Sequence, residues 1–590
     1  MKNFFSSMLG SLAALFIYSF LSIFVGVAFI IAMAAGASKT ETVEVKDNTI
    51  LELRLQGQIV ERVSEGDEMF ANFNFPGQSD NIAIQGLNDI LASIENAADD
   101  DNIEGIYVRS DMFSAGFSTS KEIRDALLRF KESGKFVVAY ADTYSQKGYY
   151  IASAADKVYL NPMGMLDIHG LASNTMYLKN TLEKIGIEMT VVKHGKYKSA
   201  VEPFTTDKMS DASREQTTQL LNVMWDIYCN EVGASRELNT EIINKYADKH
   251  TALIKPELLL NYKLIDDLKY YDEMLDELKE LSGRSDKKKD RRVLTTKYAK
   301  SIDAKNEAND KIAIIYAEGS IDGGNNGKGI NSKKLSSDIR KARLDDDVKA
   351  IVLRVNSPGG SAYGSEQIWR EVMLAREGKP FIVSMGDLAA SGGYYISCAA
   401  HTIVAQPNTI TGSIGIFGVF PNINKLNEKL GLTFDGVETN KLADFLNPNR
   451  PVSAAEKQIL QNYIDRGYNS FVGRCADGRQ MSTDEIDEIA QGRVWTGRDA
   501  KELGLVDKIG NIDDAIALAA EMSGLEDYKI EELPTPKPFI ETLMENLQGQ
   551  VKAGMMKVRY GEAYQLYEYA ERIKGMQGTQ ARMPFDLEIY

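Results

Sequence analysis

The chain contains an internal duplication, and this feature limits the folds open to it more than any other. The segment FVVAYADTYSQKGYYIASAADKVYLNP, which begins at Phe136, aligns with FIVSMGDLAASGGYYISCAAHTIVAQP, which begins at Phe381. The same register also aligns the later segments EKIGI and EKLGL. A match held in one register over this length predicts two homologous domains. We place these two repeats at residues 45–285 and 311–540.

Short β-branched runs alternate with helical patterns in each repeat. In the second repeat, KIAIIYAEGSI and KAIVLRVNSPGG are typical of buried strands bounded by glycine. Between and after them, SSDIRKARLDD and GSEQIWREVMLAREG are typical of helices. The first repeat follows the same order, from ILELRLQGQIV to KFVVAYAD. This alternation predicts α/β domains with largely parallel sheets.

Two further segments lie outside the repeats. Residues 286–310 are polar and rich in charge, which predicts a linker. Residues 541–590 contain no catalytic motif, and their tyrosines favour a role in packing or assembly. The formal net charge is −16, so the short basic run KKKDRR does not make nucleic acid an expected partner.

The N-terminus predicts a membrane anchor within residues 1–40. No charged residue lies between Lys2 and Lys39, and residues 12–38 are almost continuously apolar. A helix of about 20 residues crosses a bilayer, whereas the apolar core of a cleaved signal peptide has about 7–15 residues. We therefore expect an uncleaved transmembrane helix, although the small residues of AMAAGAS leave a cleaved signal peptide open. Lys2 favours a cytoplasmic N-terminus, with the body of the chain on the other side.

Two glycine-containing turns follow consecutive predicted strands of the second repeat. NSPGG, at residues 356–360, can direct backbone N–H groups at a developing oxyanion, although an ordinary turn has the same composition. ASGGY follows the next strand and places Ser391 at a strand-to-helix junction. That position suits a nucleophile, and it equally suits a helix N-cap.

A serine nucleophile needs a general base, and the sequence offers few candidates. None of the four histidines lies in a motif with a carboxylate partner; they are His169, His194, His250 and His401. Lysine is a known alternative base. The segment KHGKYKSAVEPF supplies Lys193, Lys196 and Lys198, and three lysines so close together are usually a solvated surface. The residues alone do not choose among them.

Five motifs now occur in order: GKYKSAVEPF, NSPGG, ASGGYY, TGSIGIFGV and GRVWTGRDAKELGLVDKIG. Together they resemble signal peptide peptidase A, the protease IV family, in its long duplicated form. The resemblance runs from the N-terminal anchor to at least residue 525. It implies two tandem Clp-protease/crotonase-like α/β domains after a transmembrane helix. It further implies a serine endopeptidase that degrades signal-peptide remnants and other peptides at the membrane, without a metal or cofactor. A homotetramer on the periplasmic face of the inner membrane is also implied.

The resemblance assigns roles to five residues. The serine of ASGGY falls on Ser391 as the nucleophile, and the lysine of YKSAVEPF falls on Lys198 as the general base. Ser413 in TGSIG resembles the residue that orients the lysine. The oxyanion would be held by the amides of Gly360 and Gly392.

Each repeat lacks the group that the other one holds. In the register of the duplication, Ser391 corresponds to Gln146 in the first repeat, and Lys198 corresponds to Ala443 in the second. This pattern predicts one composite site for the pair of repeats. Since the two residues are far apart in sequence, we expect them to meet between neighbouring subunits.

Two other functions are compatible with parts of the sequence. A crotonase-like acyl-CoA enzyme would share the fold and the oxyanion turn, but it would favour a carboxylate pair where this chain has Ser391. A non-catalytic membrane scaffold would keep the fold, but it would not need Ser391, Lys198 and the glycine turn together.

Overall fold

The structure is a computed structural model, and it describes most of both repeats. The described residues are 45–63, 83–284, 291–302, 308–323, 329–535 and 578–583, with residues 14–21 and a few isolated positions near both ends. Residues 14–21 are helical and exposed, and the rest of the predicted anchor at residues 12–38 lies outside the described residues. Within the described ranges, no helix has the length and apolar character needed to cross a membrane.

The strands are numbered in chain order. They are β1 Thr49–Val60, β2 Ile84–Gly86, β3 Ile103–Ser114, β4 Phe136–Tyr144, β5 Lys157–Leu166, β6 Glu188–His194, β7 Asp267–Leu268, β8 Arg292–Leu294, β9 Lys311–Glu318, β10 Val348–Ser357, β11 Gly359–Ser361, β12 Phe381–Ala390, β13 Thr402–Ala405, β14 Ile410–Gly412, β15 Ile416–Asn422, β16 Val494–Thr496, β17 Lys508–Ile509, β18 Lys529–Leu533 and β19 Gly578–Arg582.

The helices are numbered in the same way. They are α1 Leu87–Asp99, α2 Phe117–Lys131, α3 Gln146–Ala152, α4 Lys179–Ile185, α5 Glu202–Thr205, α6 Asp211–Arg236, α7 Thr240–Ala247, α8 Pro256–Asn261, α9 Tyr271–Leu281, α10 Thr295–Tyr298, α11 Ser332–Leu344, α12 Ala362–Arg376, α13 Gly392–Ser397, α14 Asn424–Leu430, α15 Ala454–Arg479, α16 Thr483–Ile489, α17 Gly497–Glu502 and α18 Ile512–Ser523. Short 3₁₀ turns occur at Thr251–Leu253 and Ala299–Ser301.

Each repeat is built around a sheet whose central strands are parallel. The first sheet has the order β2-β1-β3-β4-β5-β7, with β8 paired to β1. The second has the order β16-β14-β12-β10-β9-β18, with β13 and β17 attached beside β12, and only its β14–β16 pair is antiparallel. The central strands are buried along almost their whole length, as expected for parallel strands covered on both faces. The α/β class predicted from the sequence is confirmed.

The duplication is visible in the positions of the helices. Helices α1, α2 and α4 have the same lengths as α11, α12 and α14 and begin 245 residues earlier in the chain. The long helices α6 and α15 each have 26 residues and each end in a left-handed residue, Glu237 and Gln480. The predicted internal repeat is therefore present in the fold as well as in the sequence.

The two segments outside the repeats contribute strands to the sheets. Within residues 286–310, β8 pairs with β1, and Val293 and Tyr298 are buried against the first repeat. These two apolar side chains give the otherwise polar segment a packing surface. Within residues 541–590, β19 joins a smaller sheet described next.

A third sheet connects the repeats at the site. Its order is β11-β19-β15-β6, and all of its pairs are antiparallel. Strand β6 comes from the first repeat, whereas β11 and β15 come from the second. The pairing of His194 with Ile416 carries the chain after β6 toward the second repeat.

A buried ion triad also joins the repeats. The Nε of Arg354 in β10 donates to Glu61 at 2.8 Å, and its Nη2 donates to Glu122 in α2 at 2.8 Å. All three side chains are almost completely buried. Since breaking a buried pair typically costs about 3–5 kcal/mol, this triad strongly disfavours separation of the repeats.

Candidate active site

Ser391 occupies the junction between β12 and α13 in a strained backbone conformation. Its φ is 55° and its ψ is −112°, a region that side-chain-bearing residues rarely adopt. Its N–H donates to the carbonyl of Gly412 at 2.8 Å. The side chain makes no capping bond to α13, so the simple N-cap role considered from the sequence is not observed. Strain of this kind typically costs about 1–3 kcal/mol and is concentrated at functional sites.

Lys198 meets Ser391 through its terminal amine. Its Nζ lies 2.8 Å from Ser391 Oγ, 2.9 Å from the Ser413 carbonyl oxygen and 3.0 Å from Ser413 Oγ. All three residues are fully buried. Burial holds the pKa of the Lys198 ammonium well below its ordinary value, because the charged form loses its hydration there.

The approach of Lys198 depends on glycine. After β6, the chain runs through Gly195 to Lys198 and passes directly against Gly492, whose φ is 77°. A β-carbon on Gly492 would lie 2.7 Å from both the backbone nitrogen and the β-carbon of Lys198. Any side chain there would push the lysine away from Ser391, so the GRVWTGRD motif serves the site through its glycine.

Both groups come from one chain, which corrects the expectation of a site between neighbouring subunits. Strand β6 pairs with β15 over its whole length, and this places residues 195–198 beside residues 413–415 of the same chain. Pairing between strands overcomes the long sequence separation without a second subunit. The site is composite with respect to the repeats, as the sequence predicts, but it is not shared between chains.

The alternative bases are engaged elsewhere. His194 Nδ1 lies 2.8 Å from Asp465, and its ring stacks on Tyr468. His401 Nδ1 accepts the N–H of Phe381 at 3.1 Å. Among the neighbouring lysines, the Lys193 amine donates to the Lys198 carbonyl at 3.2 Å, and Lys196 is exposed. Of these candidates, only Lys198 lies within hydrogen-bond distance of Ser391.

The two predicted oxyanion donors lie on adjacent loops. Gly359 has a φ of 90° and packs against the start of α13, so that a β-carbon on it would lie 2.5 Å from the Gly392 amide nitrogen. Its own N–H donates to Ser357 Oγ at 3.1 Å, which fixes the turn. Gly360 follows immediately in β11. The NSPGG turn and the residue after Ser391 therefore face the same space.

The corresponding position of the first repeat is filled. The side-chain carbonyl of Gln146 accepts the N–H groups of His169 and Gly170 at 2.9 and 3.0 Å, and its amide donates to the Gly170 carbonyl at 2.9 Å. Gln146 thus closes the loop that in the second repeat passes over Ser391. The predicted loss of a site in the first repeat has a direct structural counterpart.

Asp387 is a positioning residue that the sequence reasoning missed. It lies in β12, four residues before Ser391, and its Oδ1 accepts the N–H groups of Ser118 and Thr119 at 2.7 and 3.0 Å. Its Oδ2 accepts the Thr119 hydroxyl at 2.5 Å. Helix α2 starts after Gly116, which has no side chain to cap it, so the second repeat supplies the cap. A residue whose partners lie in the other repeat has no local sequence signal.

The described residues contain no group of three or more histidine, cysteine, aspartate or glutamate side chains that could hold a metal ion. The three cysteines, Cys229, Cys398 and Cys475, are free and buried.

A buried serine beside a buried amine and two glycine loops is an arrangement suited to acyl transfer. The model of Peptidase family S49 matches the chain twice, at residues 129–285 and 373–526. The chain belongs to peptidase family S49, and it is a serine peptidase. This result sets aside the acyl-CoA enzyme and the non-catalytic scaffold.

Relatives of known name agree with this assignment. The chain is 38% identical to Protease 4 of Salmonella typhi over 542 residues, which cover 90% of this chain and 87% of the relative. It is 32% identical to the chloroplastic serine protease SPPA of Arabidopsis thaliana over 554 residues, covering 91% and 78%. A putative signal peptide peptidase SppA of Enterococcus faecium is 36% identical over 203 residues, covering 34% and 59%. The structure of ClpP1 from Listeria monocytogenes aligns with a TM-score of 0.24 at 16% identity, covering 34% and 94%, and no argument is based on it.

Proposed function

We propose that the chain is a membrane-anchored serine endopeptidase that uses a Ser391–Lys198 dyad to degrade signal-peptide remnants and other peptides at the membrane. The observation that carries this proposal is the 2.8 Å contact between Lys198 Nζ and Ser391 Oγ, both fully buried. A lysine acts as a general base only when it is neutral, and burial favours the neutral amine.

Ser413 orients the base in this mechanism. A neutral amine has two N–H donors and one lone pair. The two donors are satisfied by the carbonyl oxygen and the hydroxyl of Ser413, at 2.9 and 3.0 Å. The lone pair is then directed at the hydroxyl of Ser391. Lys198 therefore removes the Ser391 proton as the serine oxygen attacks the scissile carbonyl carbon.

The remaining steps follow from the same contacts. The amides of Gly360 and Gly392 donate to the oxyanion that forms on the carbonyl oxygen. The Lys198 ammonium returns its proton to the departing amine, the peptide C–N bond breaks, and an acyl ester on Ser391 remains. A water molecule, deprotonated by Lys198, attacks this ester and regenerates the serine.

The location and assembly are part of the same proposal. The uncharged residues 12–38 would form a single membrane-spanning helix in the inner membrane, with the peptidase body on the periplasmic side. The printed name of the Enterococcus faecium relative, a putative signal peptide peptidase, supports the choice of substrate. The two repeats would have the Clp-protease/crotonase type of fold, and four chains would assemble into a homotetramer.

The dyad is tested with the full chain in detergent micelles and fluorescein-labelled casein as substrate. We expect Ser391→Ala and Lys198→Ala each to reduce kcat/KM by at least about 10³-fold, since these two groups act as a unit. The matched controls are Ser470→Ala and Lys196→Ala, both at exposed positions, which should keep wild-type turnover. Near-normal activity of Ser391→Ala, or an equal loss in the controls, would contradict the assignment.

The membrane and assembly parts have their own tests. Carbonate extraction of membranes should leave the chain in the pellet, and protease added to spheroplasts should digest the body without lysis. Multi-angle light scattering in detergent should give the mass of four chains. Release by carbonate would contradict the anchor, and digestion only after lysis would contradict the orientation.

A further inference from the structure

The C-terminal strand β19 lies inside the candidate active site. It is the central strand between β11, which carries the predicted oxyanion turn, and β15, which pairs with the strand leading to Lys198. Gly360 pairs with Ala581, and Phe417 pairs with Gln580. An extended segment that pairs antiparallel on both sides is bound in the way that sheet edges bind peptides. The chain's own C-terminal region is thus held as a peptide ligand would be.

The hydrogen-bond pattern identifies the carbonyl group at the oxyanion position. Met583 donates its N–H to the carbonyl of Pro358 at 2.8 Å. In an antiparallel ladder, directly bonded pairs alternate with non-bonded pairs. The next bonded pair is therefore Gly360 with Ala581, and the Gly360 amide donates to the Ala581 carbonyl oxygen.

The same oxygen also lies near the second predicted donor. A β-carbon on Gly359 would overlap the Ala581 carbonyl oxygen and would lie 2.5 Å from the Gly392 nitrogen. A β-carbon on Gly392 would lie 2.9 Å from that oxygen. The Ala581 carbonyl is consequently surrounded by the two loops that flank Ser391.

The side chains of β19 fit this placement. Ala581 is fully buried among the glycine loops, where a larger side chain has no space. Two residues later, Met583 is buried in an apolar cluster with Phe117, Met224 and Val494. The segment is therefore fixed on both sides of the Ala581–Arg582 bond, which keeps the Ala581 carbonyl in register with the site.

We infer that the Ala581–Arg582 bond is a self-cleavage site, at which the peptidase removes residues 582–590 from its own chain. This inference rests on the proposed function. Ser391 Oγ attacks the Ala581 carbonyl carbon while its proton passes to Lys198. The bond to the Arg582 nitrogen breaks, and that nitrogen takes the proton from Lys198. Water then hydrolyses the Ala581 ester of Ser391, leaving a new C-terminal carboxylate at Ala581 and a free peptide that begins with Arg582.

Self-cleavage would also regulate access to the site. As long as β19 remains paired with β11 and β15, an external peptide has no free edge to pair with. Departure of residues 582–590 removes the Met583 contact and the ladder bond to Pro358, which weakens the hold on the rest of β19. The uncleaved chain should therefore turn over external substrate only after a lag.

The test follows the C-terminus of the purified full chain by intact mass spectrometry, in parallel with hydrolysis of fluorescein-labelled casein. We expect the wild type to end at Ala581, with a first-order rate that does not change on dilution, and Ser391→Ala to keep Tyr590. Ala581→Trp should also keep Tyr590, because the indole does not fit between the glycine loops. Gln577→Ala, outside the described strand, is the matched control and should be cleaved like the wild type.

The outcomes separate this inference from the proposed function. If the wild type hydrolyses casein but retains Tyr590, self-cleavage is refuted and the peptidase assignment stands. If Ser391→Ala loses the same residues, another protease removes them and the inference fails. If neither casein nor the C-terminus is cut, the proposed function fails and the inference fails with it.

Discussion

Replacement of Asp387 by alanine tests whether the contact between the repeats holds the site together. Asp387 accepts three hydrogen bonds from Ser118 and Thr119 at the start of α2, at 2.5–3.0 Å. It lies in the strand that ends at Ser391, whereas α2 belongs to the repeat that supplies Lys198. Its loss should therefore affect both stability and the alignment of the dyad.

The expected magnitude comes from the bonds themselves. A hydrogen bond to a charged acceptor contributes about 1.5–3 kcal/mol net, and loss of a helix N-cap costs about 0.5–2 kcal/mol. Asp387 is only partly buried, so water can replace some of the lost contacts. We therefore expect Asp387→Ala to lower the free energy of unfolding by about 2–4 kcal/mol, less than the sum of three separate bonds.

Urea unfolding followed by tryptophan fluorescence measures this effect. Asp387→Ala should lower the urea midpoint with little change in slope, and it should reduce kcat more than it raises KM. The matched control is Asp435→Ala, at an exposed position, which should behave like the wild type. A midpoint within experimental error of the wild type, with normal kcat, would refute the reasoning that this contact positions the nucleophile.

Three further predictions follow from the site. The kcat/KM should rise with pH up to the depressed pKa of Lys198 and then level off, because only the neutral amine can accept the serine proton; a profile that falls over this range would contradict a lysine base. The same depressed pKa means that the folded chain binds fewer protons than the unfolded chain between the folded and unfolded pKa values, so Lys198→Met should stabilise the fold, more at lower pH than at higher pH, as measured by urea midpoints. Mixed Ser391→Ala and Lys198→Ala subunits should regain no activity after proven exchange, because both groups of a site come from one chain; recovered turnover would restore the model of a site between subunits.

The sequence by itself determined the elements and the architecture. Apolar runs and helical periodicity are local properties, and they gave the strands and helices of both repeats within a few residues. The common register of the duplication indicated one site instead of two, because Ser391 aligns with Gln146. The motifs also placed Ser391 correctly at the end of a strand, since strand-to-glycine transitions can be read from neighbouring residues.

The choice of Lys198 among three close lysines needed more than residue types. Lys193, Lys196 and Lys198 are chemically equivalent in the sequence, and the resemblance to a family named one of them. The structure distinguishes them by burial and distance, since only Lys198 is fully buried and contacts Ser391. Burial depends on how β6 pairs with β15, which is a contact between distant parts of the chain. That Lys198 and Ser391 act as base and nucleophile stays a prediction until the variants are measured.

Only the tertiary structure decided which segments meet at the site. The composite site lies within a single chain because β6 and β15 pair across the repeats, and no local pattern states which strand edge another strand will join. The same limit hid the cap that Asp387 provides to α2 and the position of β19 beside Ser391. Backbone hydrogen bonds of a sheet are nearly independent of side-chain identity, so the sequence predicts a strand but does not name its partner.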